Sequence, residues 1–351
     1  MGRIYSLDYL RGLAATIVML GHYYAWFYHG MDSEDLLQRL VTYAVSIFYI
    51  LSGITLYLVN ARTFNFDLES FVTFGIKRVT RIFPLLYLCI ALTMLFSGWP
   101  HWKNILLNLT GLFGFTQYTG GIAHASWSIG MEIVFYFTFP VFFLLLRWKQ
   151  YWLFALLVIV SFAVGYYYAF ILINPNIPIE DQWSKVYIKP GNHLYFFAGG
   201  IALGYFKKNF FYPNQTLLNI GIVICLILFA IFPTESNLSD HIWGYNRLFF
   251  AMLSFALCWC FAVSNWQFPN LIHKTLHFLG EKSYSIYLLH PIVYHFYHIS
   301  YLSTPIKFGL SFVSTLFLSH IVYSLIEYPA MAWGKEVCRK LTTPLPVESQ
   351  S

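Results

Sequence analysis

Long apolar runs recur from one end of the chain to the other, separated by short polar stretches. They fall at about 6–27, 40–59, 82–97, 128–146, 152–173, 216–232, 247–263, 284–302 and 308–328. A helix needs about 17–25 apolar residues to cross a bilayer core, and each run is that long or nearly so. A tenth stretch, His193–Phe206, is short and interrupted by Gly199, Gly200 and Gly204. It is counted as a span because small residues let membrane helices approach closely. The stretch Asn104–Tyr118 suits a re-entrant or interfacial segment as well as a span. The pattern predicts an all-α polytopic membrane bundle of about ten transmembrane helices.

Positive charge arbitrates the ambiguous segment. If 104–118 does not cross and the N-terminus is cytoplasmic, the outer side receives only Arg39, Lys103, Lys185, Lys189, Arg247 and Lys307 of the 21 lysines and arginines. That is the expected cytoplasmic excess, and making 104–118 a span would invert most of it. Both termini are therefore expected inside, with residues 1–334 as one membrane domain and 335–351 as a cytoplasmic tail that reads as disordered. No cleavable leader is expected at the N-terminus. No internal repeat is evident, which does not favour an inverted-repeat transporter.

Composition agrees: 58% of residues are hydrophobic, 21% aromatic and only 10% charged, with a mean hydropathy of +0.59. A soluble domain carries roughly a quarter charged residues, so a soluble enzyme is excluded. The formal charge of +6 suits membrane lipid or an anionic cytosolic ligand, and no basic, aromatic-interleaved nucleic-acid surface is present. Cys258 and Cys260 point to nearly opposite helix faces, so neither a disulfide nor a metal pair is expected. His295 and His298 share a face without a neighbouring carboxylate, and no metal is expected there.

In a chain this poor in charge, ionisable residues inside spans are the first candidates for chemistry. The first helix carries Asp8, Arg11 and His22. Arg11 and His22 are eleven residues apart, nearly on one face and about 16 Å apart along the axis. Asp8 and Arg11, at i,i+3, are expected to pair. His22 either hydrogen-bonds a neighbouring helix or serves as a base, since neutral imidazole can take a proton near pH 7. Arg78 and Arg81 share a face at the cytoplasmic mouth of the third helix, as anchors or as two planar forks suited to phosphate. Glu132 lies about one turn inside the fourth helix, beyond Ser126-Trp127-Ser128, and needs a partner; His22 is expected at comparable depth. His290 is expected to be buried just before a kink at Pro291 and to hydrogen-bond a carbonyl freed there.

Five motifs taken together, Tyr5-Ser6-Leu7-Asp8-Tyr9-Leu10-Arg11, Arg11-x10-His22, Arg78-x-x-Arg81, Ser126-Trp127-Ser128-Ile129-x-x-Glu132 and Ser283-Tyr284-x-x-Tyr287-Leu288-x-His290, resemble the acyltransferase-3 family of integral membrane acyltransferases. Phe48-Tyr49-Ile50-Leu51-Ser52-Gly53 fits the same family's apolar-Ser-Gly pattern. The resemblance is to stand-alone members, without the fused C-terminal extracytoplasmic domain. It implies transfer of an acyl group, usually acetyl, from cytosolic acyl-CoA to a hydroxyl of a glycan or lipid-linked saccharide across the plasma membrane. Acyl-CoA, expected to be acetyl-CoA, is then a donor substrate, and no cofactor is expected. His22 and Glu132 become the expected catalytic residues and Arg11, Arg78 and Arg81 the acyl-CoA-binding ones, with Asp8, Trp127 and His290 in support. General-base and acyl-histidine mechanisms both stay open, as does a transporter or flippase of lipid-linked saccharide. Trp127, Trp183 and Trp243 are either acceptor-stacking or membrane-belt aromatics.

Overall fold

The computed structural model describes residues 3–28, 30–31, 35–61, 63–116, 121–209, 214–234 and 239–342. These form helices α1 (Tyr5–Tyr28), α2 (Leu36–Asn60), α3 (Leu68–Ser97), α4 (Trp102–Thr110), α5 (Trp127–Arg147), α6 (Tyr151–Tyr167), α7 (Ile179–Gln182), α8 (Pro190–Asn209), α9 (Gln215–Ile231), α10 (Gly244–Val263), α11 (Asn270–Glu281), α12 (Ser283–His298), α13 (Thr304–Val322) and α14 (Tyr328–Thr342). No strand occurs among the described residues.

Among the described residues six helical segments are long and apolar enough to cross a membrane: α2, α3, α5, α6 with its π turn, α10, and the continuous α13–α14 stretch Thr304–Thr342. Large apolar side chains on α6, α9 and α13, among them Ile159, Val223, Ile227, Val313 and Phe317, stay exposed. Only a hydrocarbon surround suits that many outward aliphatics, and the chain is a multi-pass membrane protein.

α1 is the hub. It touches α2, α10, α11, α12 and α13 and is buried on most sides, which is why its sequence can carry an arginine and a histidine without facing lipid. Its closest crossing is with α11, where Gly12 and Gly280 bring the two backbones together. The most extensive helix contact, α2 against α8, is likewise set by small residues: a Cβ on Gly200 would collide with the Ile50 carbonyl. Gly200→Ala should therefore lower the melting temperature of the detergent-purified protein, at an overpacking cost of about 1–3 kcal/mol. Gly309→Ala, in open space on α13, should leave it unchanged or raise it.

Several boundaries differ from the sequence expectation. α3 begins well before residue 82, because Asp67 caps it by accepting from the Ser70 N–H at 2.7 Å. Arg78 and Arg81 consequently lie inside a helix and not at its mouth. The stretch 264–283 contains the twelve-residue amphipathic α11, which has no long apolar run to betray it. Lys335–Thr342, taken from the sequence as disordered tail, continues α14; residues 343–351 lie outside the described residues. Among its described residues the ambiguous 104–118 segment holds most of the nine-residue α4 and a 3-10 turn, Leu112–Gly114, after Gly111 at φ 74°. At 1.5 Å per residue α4 spans about 14 Å, less than half a bilayer core. Arg39 and Arg247, counted outside, turn inward and are buried. Arg39 donates to the carbonyls of Phe229, Ala230 and Phe232, satisfying the C-terminal end of α9, and Arg247 donates to those of Ile242 and Asn192.

Candidate active site

A cavity enters the bundle between α1, α2, α3, α5 and α12, with about 970 Å³ of empty space counting its open mouth. Arg11, Arg78, Arg81 and Glu132 all line it, so the four residues singled out from three separate helices do converge. Arg11 donates to Asp8 at 3.4 Å, the expected i,i+3 pair, and to Thr55 at 3.2 Å. Asp8 is held in turn by Arg3 at 2.6 Å, and Arg3 reaches Glu281 on α11 at 3.1 Å. Burial pushes the Glu281 carboxyl up, but Lys282, Arg3 and His277 outweigh it and hold it below the ordinary range. This chain of ion pairs ties α1 to α11 beneath the cavity.

Arg78 makes no ion pair among the described residues. Its guanidinium lies over the rings of Phe74, at 5.8 Å, and Tyr136, at 5.5 Å, and its Nε is sealed from solvent with no hydrogen-bond partner. Two aromatic faces fix the plane of the fork while its donors stay unused. Arg81 adds a second positive charge, which acts on Arg11 and on the buried Glu327. Planar forks of this kind suit phosphate oxygens.

Glu132 does not meet His22. Its carboxylate accepts from Ser52 Oγ at 3.0 Å and from the Tyr136 hydroxyl, and its charge acts on Arg11. The expected Glu132–His22 pairing is corrected on this point: Glu132 sits against Ser52 of α2, on the arginine side of the cavity, where it balances the cations.

The partner of His22 is His290, with Nδ1 of His22 2.8 Å from Nε2 of His290. His290 Nδ1 lies 3.2 Å from the Ile286 carbonyl one turn earlier, one residue before the Tyr287 carbonyl that Pro291 frees. A carbonyl can only accept, so His290 Nδ1 carries a proton; neutral His290 then accepts at Nε2, and His22 donates from Nδ1. The lone pair of His22 is thereby left on Nε2, which makes no hydrogen bond among the described residues and is not among the sealed polar atoms. The carbonyl and two imidazoles thus fix one tautomer, as the third group does in a hydrolytic triad.

Trp26, one turn outward on α1, stacks on His22 with centroids 4.9 Å apart, and the exposed His124 meets its edge at 5.6 Å. Trp127 instead packs against Trp183 and Tyr187 in a cluster of its own with Ile173 and Ile242, and Trp243 borders the same cluster. His298 Nδ1 bonds the His295 carbonyl at 3.0 Å, and no group of three potential metal ligands exists among the described residues. All five cysteines are free and buried.

The sequence reading passed over Trp26, Thr55 and Glu327. The i+4 spacing of Trp26 from His22 was available as a signal. So was Glu327 as a carboxylate inside an apolar run, where it accepts from Ser285 of α12. Thr55 carries no such mark.

Fold and site together define an all-α membrane protein with an arginine-lined cavity and an oriented histidine. The description of an acyltransferase domain, the acyltransferase-3 family, matches residues 4–324, and the chain belongs to that family. It is similar to the acyltransferase MdmB of Streptomyces mycarofaciens, 28% identical over 56% of this chain and 56% of that protein. It is similar to nodulation protein 10 of Rhizobium leguminosarum bv. viciae, 24% identical over 93% of each. It is also similar to a Staphylococcus aureus protein whose name gives O-acetyltransferase activity provisionally, 24% identical over 58% of this chain and 35% of that protein. The match therefore spans little more than half of the first of these relatives and about a third of the last. No solved structure matches the chain significantly.

Proposed function

We propose that the chain is a membrane O-acyltransferase that moves an acyl group, acetyl by preference, from acyl-CoA on the cytoplasmic side of the plasma membrane to a hydroxyl of a surface glycan or lipid-linked saccharide. The observation that carries this reading is the Ile286 carbonyl–His290–His22 chain, which leaves a lone pair on His22 Nε2, set beside a cavity lined by Arg11, Arg78 and Arg81. The names of the relatives support acyl transfer and, for one, oxygen as the acceptor atom.

In this mechanism Arg78 and Arg81, with Arg11, hold the phosphates of acyl-CoA, while Glu132 balances the cations and keeps Tyr136 against Arg78. The pantetheine arm lies along the cavity, so the nucleotide never crosses the membrane. His22 Nε2 takes the proton of the acceptor hydroxyl as its oxygen attacks the thioester carbonyl. The carbon–sulfur bond then breaks, and the thiolate leaves with the proton returned from His22. One ester and one free thiol result. His290 supports the imidazolium through its carbonyl-anchored ring.

The test is thiol release. Protein purified in detergent, given acetyl-CoA and a panel of methyl glycosides and N-acetylhexosamine oligomers, should release free coenzyme A and yield acetylated sugar by mass spectrometry. Saccharide movement in proteoliposomes without thiol release would replace this reading with a transporter. Within the same assay, His290→Ala should lower kcat by about tenfold or more. His290→Gln, whose side-chain oxygen can still accept from His22 Nδ1, should recover part of the loss; equal loss in both variants would remove the orienting role.

A further inference from the structure

We infer that Phe48 of α2 and Tyr287 of α12 form the partition that decides which acyl groups reach the histidine pair, with Phe48 as the ring that limits acyl length. The inference rests on the acyl-transfer reading and assigns a specificity element to the same site.

The cavity lined by the arginines is lined also by Phe48, Ile129 and Tyr287, and neither His22 nor His290 lines it. Both rings also border the histidine side. The Tyr287 ring lies 6.0 Å from that of His290, and Phe48 packs against the cluster of Ala15, Met19 and Tyr23 that surrounds His22 on α1. Phe48 and Tyr287 meet edge to face, with centroids 5.8 Å apart and planes at 69°. Rings at that separation are in van der Waals contact and leave no passage between them. A thioester on an arm anchored at Arg78 and Arg81 meets these rings before it meets an imidazole.

The two rings are held differently. The Tyr287 hydroxyl shares a hydrogen bond of 2.8 Å with Ser128 Oγ, and both residues are buried. Phe48 is half-buried, has no polar group to anchor it and faces the open cavity. Tyr287 is therefore the fixed post and Phe48 the ring that can turn. A two-carbon acyl group needs only a small displacement of that ring. Each further methylene must occupy volume that the ring fills, in an interior too well packed to yield it.

The experiment compares acetyl-, butyryl- and hexanoyl-CoA in the thiol-release assay for the full chain, Phe48→Ala and Phe48→Leu. Acetyl-CoA should be preferred by the unaltered protein. Phe48→Ala should raise the ratio of kcat/KM for hexanoyl over acetyl by about tenfold or more, and Phe48→Leu by less, since a single methylene in an apolar pocket is commonly worth about tenfold. An unchanged ratio, or equal loss on all three donors in both variants, overturns the partition while leaving acyl transfer intact. No thiol release from any donor by the unaltered protein overturns the acyl-transfer reading itself and this inference with it.

Discussion

His22→Ala should reduce kcat for acyl transfer by about 10²–10⁴-fold, the range expected on removing a general base, while the KM for acyl-CoA stays within a few-fold of the unaltered value. The separation follows from geometry. His22 lines no part of the arginine cavity, so donor binding does not pass through it. Stopped-flow detection of the released thiol, with saturating donor and acceptor, reads kcat directly. His22→Gln should be no better than alanine, because an amide nitrogen offers no basic lone pair. If His22→Ala keeps more than a tenth of the rate, the base lies elsewhere. Quenching followed by denaturing mass spectrometry separates the two mechanisms open to histidine. An acyl adduct on His22 would show covalent transfer, whereas direct attack leaves the imidazole unmodified.

The opposite kinetic signature is expected at Arg78. Arg78→Ala should raise the KM for acyl-CoA by about 10–100-fold with a much smaller change in kcat, since a charge-assisted hydrogen bond is worth about 1.5–3 kcal/mol. Arg78→Lys should recover little. The planar guanidinium lies over Phe74 and Tyr136 with its donors directed by that plane, and an ammonium provides neither the flat face nor the fork. Desulfo- and dephospho-analogues of the donor refine the result. Loss of the 3′-phosphate should cost the unaltered protein more affinity than it costs Arg78→Ala if this fork holds that group. A fall in kcat at unchanged KM would instead place Arg78 near the reacting atoms and contradict its assignment to the donor.

Much of the membrane architecture was legible in the hydrophobic pattern, because a helix that faces hydrocarbon must be apolar over a length the bilayer fixes. α2, α5, α6 with its π turn, α9 and α10 begin and end within about four residues of their apolar runs. The pattern failed where something other than apolar length defines an element. α11 is amphipathic and short, α3 is extended by a capping aspartate, and α14 continues a helix through polar residues. Arg39 and Arg247, counted on the outer side, are buried against backbone carbonyls, which a count of charges does not reveal. A charge tally treats every cation as solvated, but unsatisfied carbonyls at helix ends can solvate a buried guanidinium as well as water does.

For the site, the sequence by itself determined which residues are anomalous: Asp8, Arg11, His22, Arg78, Arg81, Glu132 and His290 stand out because charge and imidazole are expensive in a membrane segment. It also determined the Asp8–Arg11 pair, since both residues lie within one helical turn. Only the tertiary structure decided who partners whom across helices. His22 and Glu132 are separated by more than a hundred residues, and depth along two helices does not fix how far each is rotated about its own axis. The crossing of Gly12 with Gly280 fixes the rotation of α1, which carries His22 to His290, and that of Gly53 with Gly200 the rotation of α2, which presents Ser52 to Glu132. Phe48 and Tyr287, which line the arginine cavity, also border the helices that carry His22 and His290.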